Sequence, residues 1–343
     1  MLKKFFTWHH FPFWFFHLPT VPYIIWLSLK ARSPFFYGAC NPIIHHNGGG
    51  DRPSKTFVLR QLDPAYLPRT VRVAPSTARA DLERLCAEAG LAPPLMVKPD
   101  KGERGSLVVR VTDFDQLENA VRTHRESVLL QEWVDTAYEY GVLYERMPGA
   151  AHGRITSISV KTLLSVEGDG RQNVGALSRA QAGHARFRAK IDALPGDLLQ
   201  RVPAAGEHVI LDHVAQQAHG ARFWDANTLI TPEVTAFFDQ LCAPLDGFYL
   251  GRFDLKATGP ESLATGEGLV VLELNGTASV PLHVFDPAVG FLDTYKAMYR
   301  HWAAIYRISV ANHQRGVAYL RPRDAVRYLF KRFEKRNADV GVS

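Results

Sequence analysis

The sequence predicts an α+β protein built on antiparallel sheet, and three observations carry that prediction. First, Gly251-Arg252-Phe253-Asp254-Leu255-Lys256 and Val271-Leu272-Glu273-Leu274-Asn275-Gly276 alternate apolar and polar residues at period two, as half-buried strands do. The Gly-containing stretch 257–268 between them can turn the chain back into a hairpin. Second, the apolar runs Pro94-Leu95-Met96-Val97 and Leu107-Val108-Val109 flank a loop with glycines at 102 and 105. Third, helical signals stand apart from the strands, at residues 77–89, ended by Gly90, and at 293–310.

The elements follow in chain order. From Phe5 to Leu29 there is no Asp, Glu, Lys or Arg, and aromatic residues dominate. That length would suit a membrane span. Pro12, Pro19, Pro22, His9, His10 and His17 interrupt it, however, and a lipid-exposed helix so broken leaves backbone groups unpaired. The same breaks make a signal peptide a poor reading. The expectation is an aromatic arm lying in the headgroup layer, where Trp and Tyr are favoured. An apolar arm packed on the protein's own core has the same composition. Asn41-Pro42 and Gly48-Gly49-Gly50 mark loops, and the first segment ends near residue 50. Residues 51–94 form a short region around the 77–89 helix.

Lys98 closes the strand that begins at Pro94. The loop after it, 99–106, has glycines that let backbone N–H groups approach a phosphate closely. It is neither a P-loop nor a Rossmann turn, because the required spacings are absent, and a plain hairpin turn has the same pattern. Val128 to Val134 reads as an apolar strand carrying Gln131, Glu132 and Trp133, with Glu139 seven residues after Glu132. A further strand, 155–164, carries Lys161, and Glu167-Gly168-Asp169-Gly170 makes a tight turn. Residues 206–220 read as irregular. Their His208, His213 and His219 share no helical face, which argues against a metal site, and Arg222 is the better anchor for a substrate carboxylate. In the 251–276 hairpin, Arg252, Asp254 and Lys256 share one face, as do Glu273 and Asn275. Two carboxylates and an amide oxygen, without Cys or His, suit Mg²⁺. An ordinary hairpin with a solvated polar face alternates in the same way.

Two lysines, a glycine loop, glutamates near a strand end and a terminal Arg/Asp/Glu/Asn set occur here in one order. That order resembles the ATP-grasp superfamily over residues 95–281, particularly its D-alanine–D-alanine ligase and ribosomal-protein glutamate ligase branches. The resemblance implies an α+β core at 95–290 whose two subdomains clamp ATP, with 51–94 as a reduced preceding region and 291–343 as C-terminal helices with a basic tail. It implies that Lys98 and Lys161 hold the ATP phosphates and that Gly102, Gly105 and Ser106 form the lid. Gln131, Glu132, Trp133 and Val134 fall where the family's hinge contacts adenine, and Glu139 where a carboxylate takes the ribose hydroxyls. Asp254, Glu273 and Asn275 match the Mg²⁺ ligands of a site expected to hold two ions, with Mn²⁺ as a possible substitute. Arg252 matches the arginine that steadies the transferring phosphoryl group. The hinge departs from the family in lacking a Glu-Lys pair, and Tyr138 stands where a glycine is usual. Residues 153–177 are closer to the peptide-ligase and cyanophycin-type branches. The implied activity is ligation of a small-molecule or peptide carboxylate to an amine or thiol through an acyl phosphate. The alternatives are a nucleotide-binding adaptor without ligase chemistry, or an ATP-grasp-type kinase.

Composition limits the remaining choices. The chain has 343 residues, 46% of them hydrophobic, enough for one large or two medium domains. Cys40, Cys86 and Cys242 are an odd, scattered set, which fits a reducing cytoplasm and argues against a disulfide framework. Much of the net charge of +6 lies in the C-terminal tail, where residues 315–336 carry Arg321, Arg323, Arg327, Lys331, Arg332 and Lys335 against only Asp324 and Glu334. Tyr328, Leu329 and Phe333 give its expected helix, 325–335, an apolar stripe. The expected partner is an anionic membrane surface on the cytoplasmic side, since no nucleic-acid module accompanies the charge.

Overall fold

The computed structural model describes residues 16–44, 55–100, 107–181, 191–216 and 219–324. The lid residues Gly102, Gly105 and Ser106, the first fifteen residues of the arm and the basic helix at 325–335 lie outside these.

Among the described residues a 3-10 turn, Leu18–Thr20, leads into helix α1, Val21–Ala31, with Pro22 in the first turn, where its missing N–H is no loss. Phe16, Leu27, Phe36 and Cys40 are buried, so residues 16–44 join the body. Asn41, read from sequence as a loop marker, works as a latch. Its buried amide accepts from the N–H groups of Tyr249 (2.8 Å) and Leu250 (3.0 Å) and donates to the Leu250 carbonyl (2.7 Å). A short α2, Lys55–Leu59, follows.

The first sheet is built from β1, Thr70–Val73; β2, Leu95–Pro99; β3, Val109–Val111; and β4, Val128–Glu132. Their antiparallel order is β1-β4-β2-β3. Helices α3, Arg79–Glu88, and α4, Phe114–Arg122, bury Leu82, Cys86, Leu117 and Val121 against Val73, Leu95 and Val97. Gly90 ends α3 with φ +65°, the left-handed conformation that suits glycine, and Asp113 caps α4 by accepting from the Gln116 N–H at 2.8 Å. Strand β3 starts two residues later than the apolar pattern predicts, because Leu107 still turns at φ +58°.

The second sheet gathers β5, Tyr138–Glu145, and β6, Arg154–Thr162. A small module is then inserted: β7, Leu164–Glu167; α5, Val174–Gln181; α6, Gly196–Gln200; and β8, His208–Asp212. It has its own apolar cluster around Val166, Val174, Val209 and Leu211. His208 therefore sits on a strand, where an irregular stretch was expected; pairing of β7 with β8 supplies the order that local sequence does not. The sheet resumes with β9, Arg222–Asp225, passes through α7, Pro232–Cys242, and ends in β10, Leu250–Ala257, α8, Ser262–Thr265, and β11, Leu269–Asn275. The antiparallel order is β11-β10-β5-β6-β9.

Period two makes this sheet two-faced. Tyr140, Val142, Ile158, Phe253 and Leu255 point to one side, where Val234, Phe237, Phe238 and Leu241 of α7 cover them. The other face carries Arg252, Asp254, Lys256, Glu139 and Lys161. Helix α9, Phe291–Gln314, is longer than the 293–310 pattern suggests and runs beside α1, burying Ile305 and Ile308 near Leu27. Among the described residues no helix is long and apolar enough to cross a membrane.

Candidate active site

A cleft of about 790 Å³ of empty space, open solvent included, lies between the two sheets. Met96 and Lys98 of β2, Val108 and the β4 end, Gln131 to Val134, line one side; Glu139, Lys161, Asp254, Lys256, Leu272 and Glu273 line the other. His213 to Gln216 close a third side from the loop after β8. Of the residues singled out in the sequence, Lys98, the 131–134 segment, Glu139, Lys161, Asp254 and Glu273 thus meet in one cavity.

Strand register explains the meeting. Along the ladder Lys256 pairs with Glu139, which pairs with Lys161; two residues on, Asp254 pairs with Gly141 on one side and Glu273 on the other, and Arg252 pairs with Asn275. Partners across antiparallel strands share a face, so one row of cross-strand pairs stacks cation on carboxylate. The Lys161 side chain is 2% exposed, with its Nζ 2.9 Å from Asp254 Oδ1 and 3.1 Å from Glu139 Oε1. Arg252 grips Asp254 with two N–H groups, Nε to Oδ1 at 2.8 Å and Nη2 to Oδ2 at 2.9 Å. Asn275 Nδ2 donates to Asp254 Oδ2 at 2.9 Å.

The electrostatics follow from burial and these contacts. Burial favours protonation of Asp254, but Arg252 and Lys161 overcome it and hold the carboxyl well below the usual carboxylate range. Burial likewise opposes the Lys161 charge; Asp254 and Glu139 outweigh it and raise the ammonium above its ordinary value. Arg252 is raised in the same way, chiefly by Asp254 against burial. Within the cluster Lys161 and Arg252 are matched by Asp254 and Glu139, an arrangement that good geometry keeps tolerable in a dry interior.

Lys98 reaches from the first sheet to the second. Its Nζ donates to Gln131 Oε1 (2.8 Å) and to the Leu272 carbonyl (3.3 Å), and Gln131 is held by a bond to Thr70 Oγ1 (3.1 Å). Lys256, which shares the polar face with Arg252 and Asp254, lies at the other end of the cleft. It donates to the Val134 carbonyl at 2.7 Å and sits 4.5 Å from the Trp133 ring centre, and burial lowers its pKa. Arg110 approaches the same ring at 4.8 Å, and His213 meets it edge-on at 5.3 Å. Burial, with Arg110 adding to it, pushes His213 below its ordinary value.

Arg222 is not part of this cavity. It pairs with Thr162, while its neighbour Phe223 pairs with Lys161; one residue along a strand changes the face. His219 Nδ1 lies 2.8 Å from Asp212 Oδ2, a local contact away from the cleft lining.

Among the described residues no group of three or more His, Cys, Asp or Glu is arranged to hold a metal ion. The donors at the hairpin still fit a hard cation. Asp254 and Glu273 oppose each other across the ladder, and Asn275 turns its nitrogen to Asp254, so its other amide atom is an oxygen. Two carboxylates and an amide oxygen, completed by water and phosphate, are what Mg²⁺ takes at nucleotide sites.

Two sheets face each other across the cleft, and a lysine from each lines it. No family model matches this chain, and no curated protein matches it in sequence. Solved structures do resemble it. A bifunctional glutathione synthetase from Pasteurella multocida superposes with 14% identity over 73% of this chain and 36% of that one, TM-score 0.37. A D-Ala:D-Ser ligase from Enterococcus faecalis gives 11% identity, 82% and 63% coverage and a TM-score of 0.43. A D-alanine–D-alanine ligase from Coxiella burnetii gives 11%, 77% and 58%, and 0.41. The chain spans less than two thirds of the length of each. Likeness at this level assigns neither a residue nor a reaction.

Proposed function

We propose that the chain is an ATP- and Mg²⁺-dependent ligase that joins a carboxylate to an amine or a thiol. The single observation behind this reading is a cleft lined by Lys98, Lys161, Asp254 and Glu273, with Arg252 bonded to Asp254. Two lysines and two carboxylates in one cavity, with Arg252 and Asn275 held on Asp254, suit a triphosphate with its divalent cation, whose transfer chemistry depends on positioning and charge neutralisation.

In this reading Lys98 and Lys161 take phosphate oxygens from opposite sheets, and the 131–134 segment with Trp133 receives the base. Glu139 accepts from the ribose hydroxyls. Asp254, Glu273 and Asn275 would hold Mg²⁺, which when bound supplies positive charge to the phosphate oxygens. Arg252 and Lys161 neutralise Asp254 before the nucleotide arrives, and then shift toward the phosphoryl group. The substrate carboxylate oxygen attacks the γ-phosphorus as the bond to ADP breaks. The amine then attacks the acyl phosphate carbon, inorganic phosphate leaves, and the amine loses its extra proton.

The saturation of Asp254 by Arg252, Lys161 and Asn275 gives a second reading some weight: a nucleotide-binding adaptor in which the network is only a structural ion cluster. ADP release separates the readings. A panel of carboxylates is incubated with Mg-ATP, with and without amines, and hydroxylamine traps any acyl phosphate. The ligase reading requires ADP that depends on the carboxylate and a trapped hydroxamate. Nucleotide binding without ADP supports the adaptor, and a stable phosphorylated product supports a kinase.

A further inference from the structure

Helix α1 is amphipathic in the wrong sense for a surface helix. Its buried side, with Leu27 and half-buried Tyr23, packs on α9: the Tyr23 and Tyr299 rings meet edge-on at 5.1 Å, and Tyr299 donates to the Pro19 carbonyl at 3.0 Å. Every exposed residue from Leu18 to Leu29 is apolar. Leu18 is 47% exposed, Ile25 55%, Trp26 49% and Leu29 72%. Leu18, Val21, Ile25 and Leu29 recur at three- and four-residue steps, so they form one continuous stripe along the helix. Isolated exposed apolar residues are ordinary; a whole outer helix face of them marks a binding surface.

The chemistry of the rim says what covers it. Lys30 and Arg32 are the charged residues at the end of the stripe, and no carboxylate occurs between Phe16 and Arg32. The Lys30 ammonium lies 4.5 Å from the Trp26 ring centre, holding an aromatic–cation pair at the edge. A second copy docked face to face would present the same patch, which has no acid to pair Lys30 and Arg32. Anionic headgroups supply that charge, and Trp and Tyr favour the same interfacial depth. At roughly 1.5 Å per residue, α1 is far too short to span the ~30 Å hydrocarbon core, so it must lie in the plane of the interface. The fifteen residues before Phe16 continue this composition: seven are Phe or Trp, and Lys3 and Lys4 are the charged side chains among them.

We propose that the outer face of α1 docks the protein flat on an anionic lipid bilayer. Phe16, ahead of the 3-10 turn that leads into α1, is buried with Phe285 and Tyr295 in the cluster that includes Leu282, and a Cβ placed on Gly141 would meet both Leu282 and the Arg252 stem.

The test is co-sedimentation of the full chain with phosphatidylcholine vesicles, with and without phosphatidylglycerol, in the absence of nucleotide. Docking therefore stands or falls independently of the ligase reading. The full chain should pellet with the phosphatidylglycerol vesicles and be partly released by salt, which screens Lys30 and Arg32. The double variant Ile25→Glu, Leu29→Glu changes exposed positions, so its urea midpoint should match that of the unaltered protein. Its partition should fall by on the order of tenfold for each apolar side chain lost. Three results would overturn the proposal. One is equal pelleting of the double variant, and another is failure of the full chain to pellet. The third is a lipid-free dimer that the double variant splits, which would make this face an interface between copies.

Discussion

Asp254→Asn is the substitution on which the site's physics can be tested most sharply. Asp254 Oδ1 faces Arg252 Nε and Lys161 Nζ; Oδ2 faces Arg252 Nη2 and Asn275 Nδ2. An amide keeps one acceptor and turns the other oxygen into a donor aimed at N–H groups. It also leaves the buried Lys161 and Arg252 ammonium and guanidinium charges with one fewer carboxylate. Breaking one partner out of a buried ion pair costs about 3–5 kcal/mol, a large part of a total stability on the order of 5–15 kcal/mol. Urea unfolding at neutral pH should therefore show a loss of that size. The pH dependence should change with it. Asp254 has its folded-state pKa lowered, so on acidification the unfolded chain takes up its proton first. The network's contribution is complete above the unfolded value of about 3.9 and is lost as pH falls through the folded value. Stability below about pH 5 should therefore fall less steeply in the variant than in the unaltered chain. A loss under about 1 kcal/mol at neutral pH, the value of an exposed pair, would refute the reasoning. Metal-dependent nucleotide turnover should vanish in the same variant. Glu273→Gln should also lose turnover with a smaller stability loss, because it spares the contacts among Arg252, Asp254 and Lys161.

Other outcomes follow from single contacts. Lys98→Ala should weaken binding of a non-hydrolysable ATP analogue about tenfold or more, since a charged donor toward phosphate is worth about 1.5–3 kcal/mol; titration calorimetry reads it, and unchanged affinity counts against the assignment. His301, on α9, is buried, and burial, only partly offset by the Ser279 backbone, pushes its pKa down to about 4. Its folded value lies below the unfolded one, so it destabilises the fold progressively from about pH 6.5 down to pH 4; His301→Phe should flatten the stability profile in that window, as urea midpoints across pH would report. At Gly251 an added Cβ falls on the Asn275 carbonyl oxygen and on the Phe248 ring. Gly251→Ala should cost about 1–3 kcal/mol by forcing β10 and β11 apart, and thermal unfolding measures it.

The sequence alone determined what period and residue type encode. The 251–276 hairpin, the polar face bearing Arg252, Asp254 and Lys256, the apolar strands around Lys98, 128–132 and Lys161, and the helices near 77–89 and 293–310 were all legible, because alternation and caps are local. The convergence of Lys98, Glu139, Lys161, Asp254 and Glu273 was legible only as an order along the chain. Tertiary structure decided the rest, because sheet order and cross-strand register act over long sequence separations. Register brought Glu139 to both Lys256 and Lys161, and turned Arg222 to the other face from Lys161. The inserted β7–β8 module carried His213 to Trp133, which no spacing in the chain announces. Composition marked residues 5–29 as apolar, yet both a packed arm and an interfacial one fit it. Packing against α9 buried Leu27 and left Ile25 and Leu29 outside, since a helix wall can cover only one side of α1.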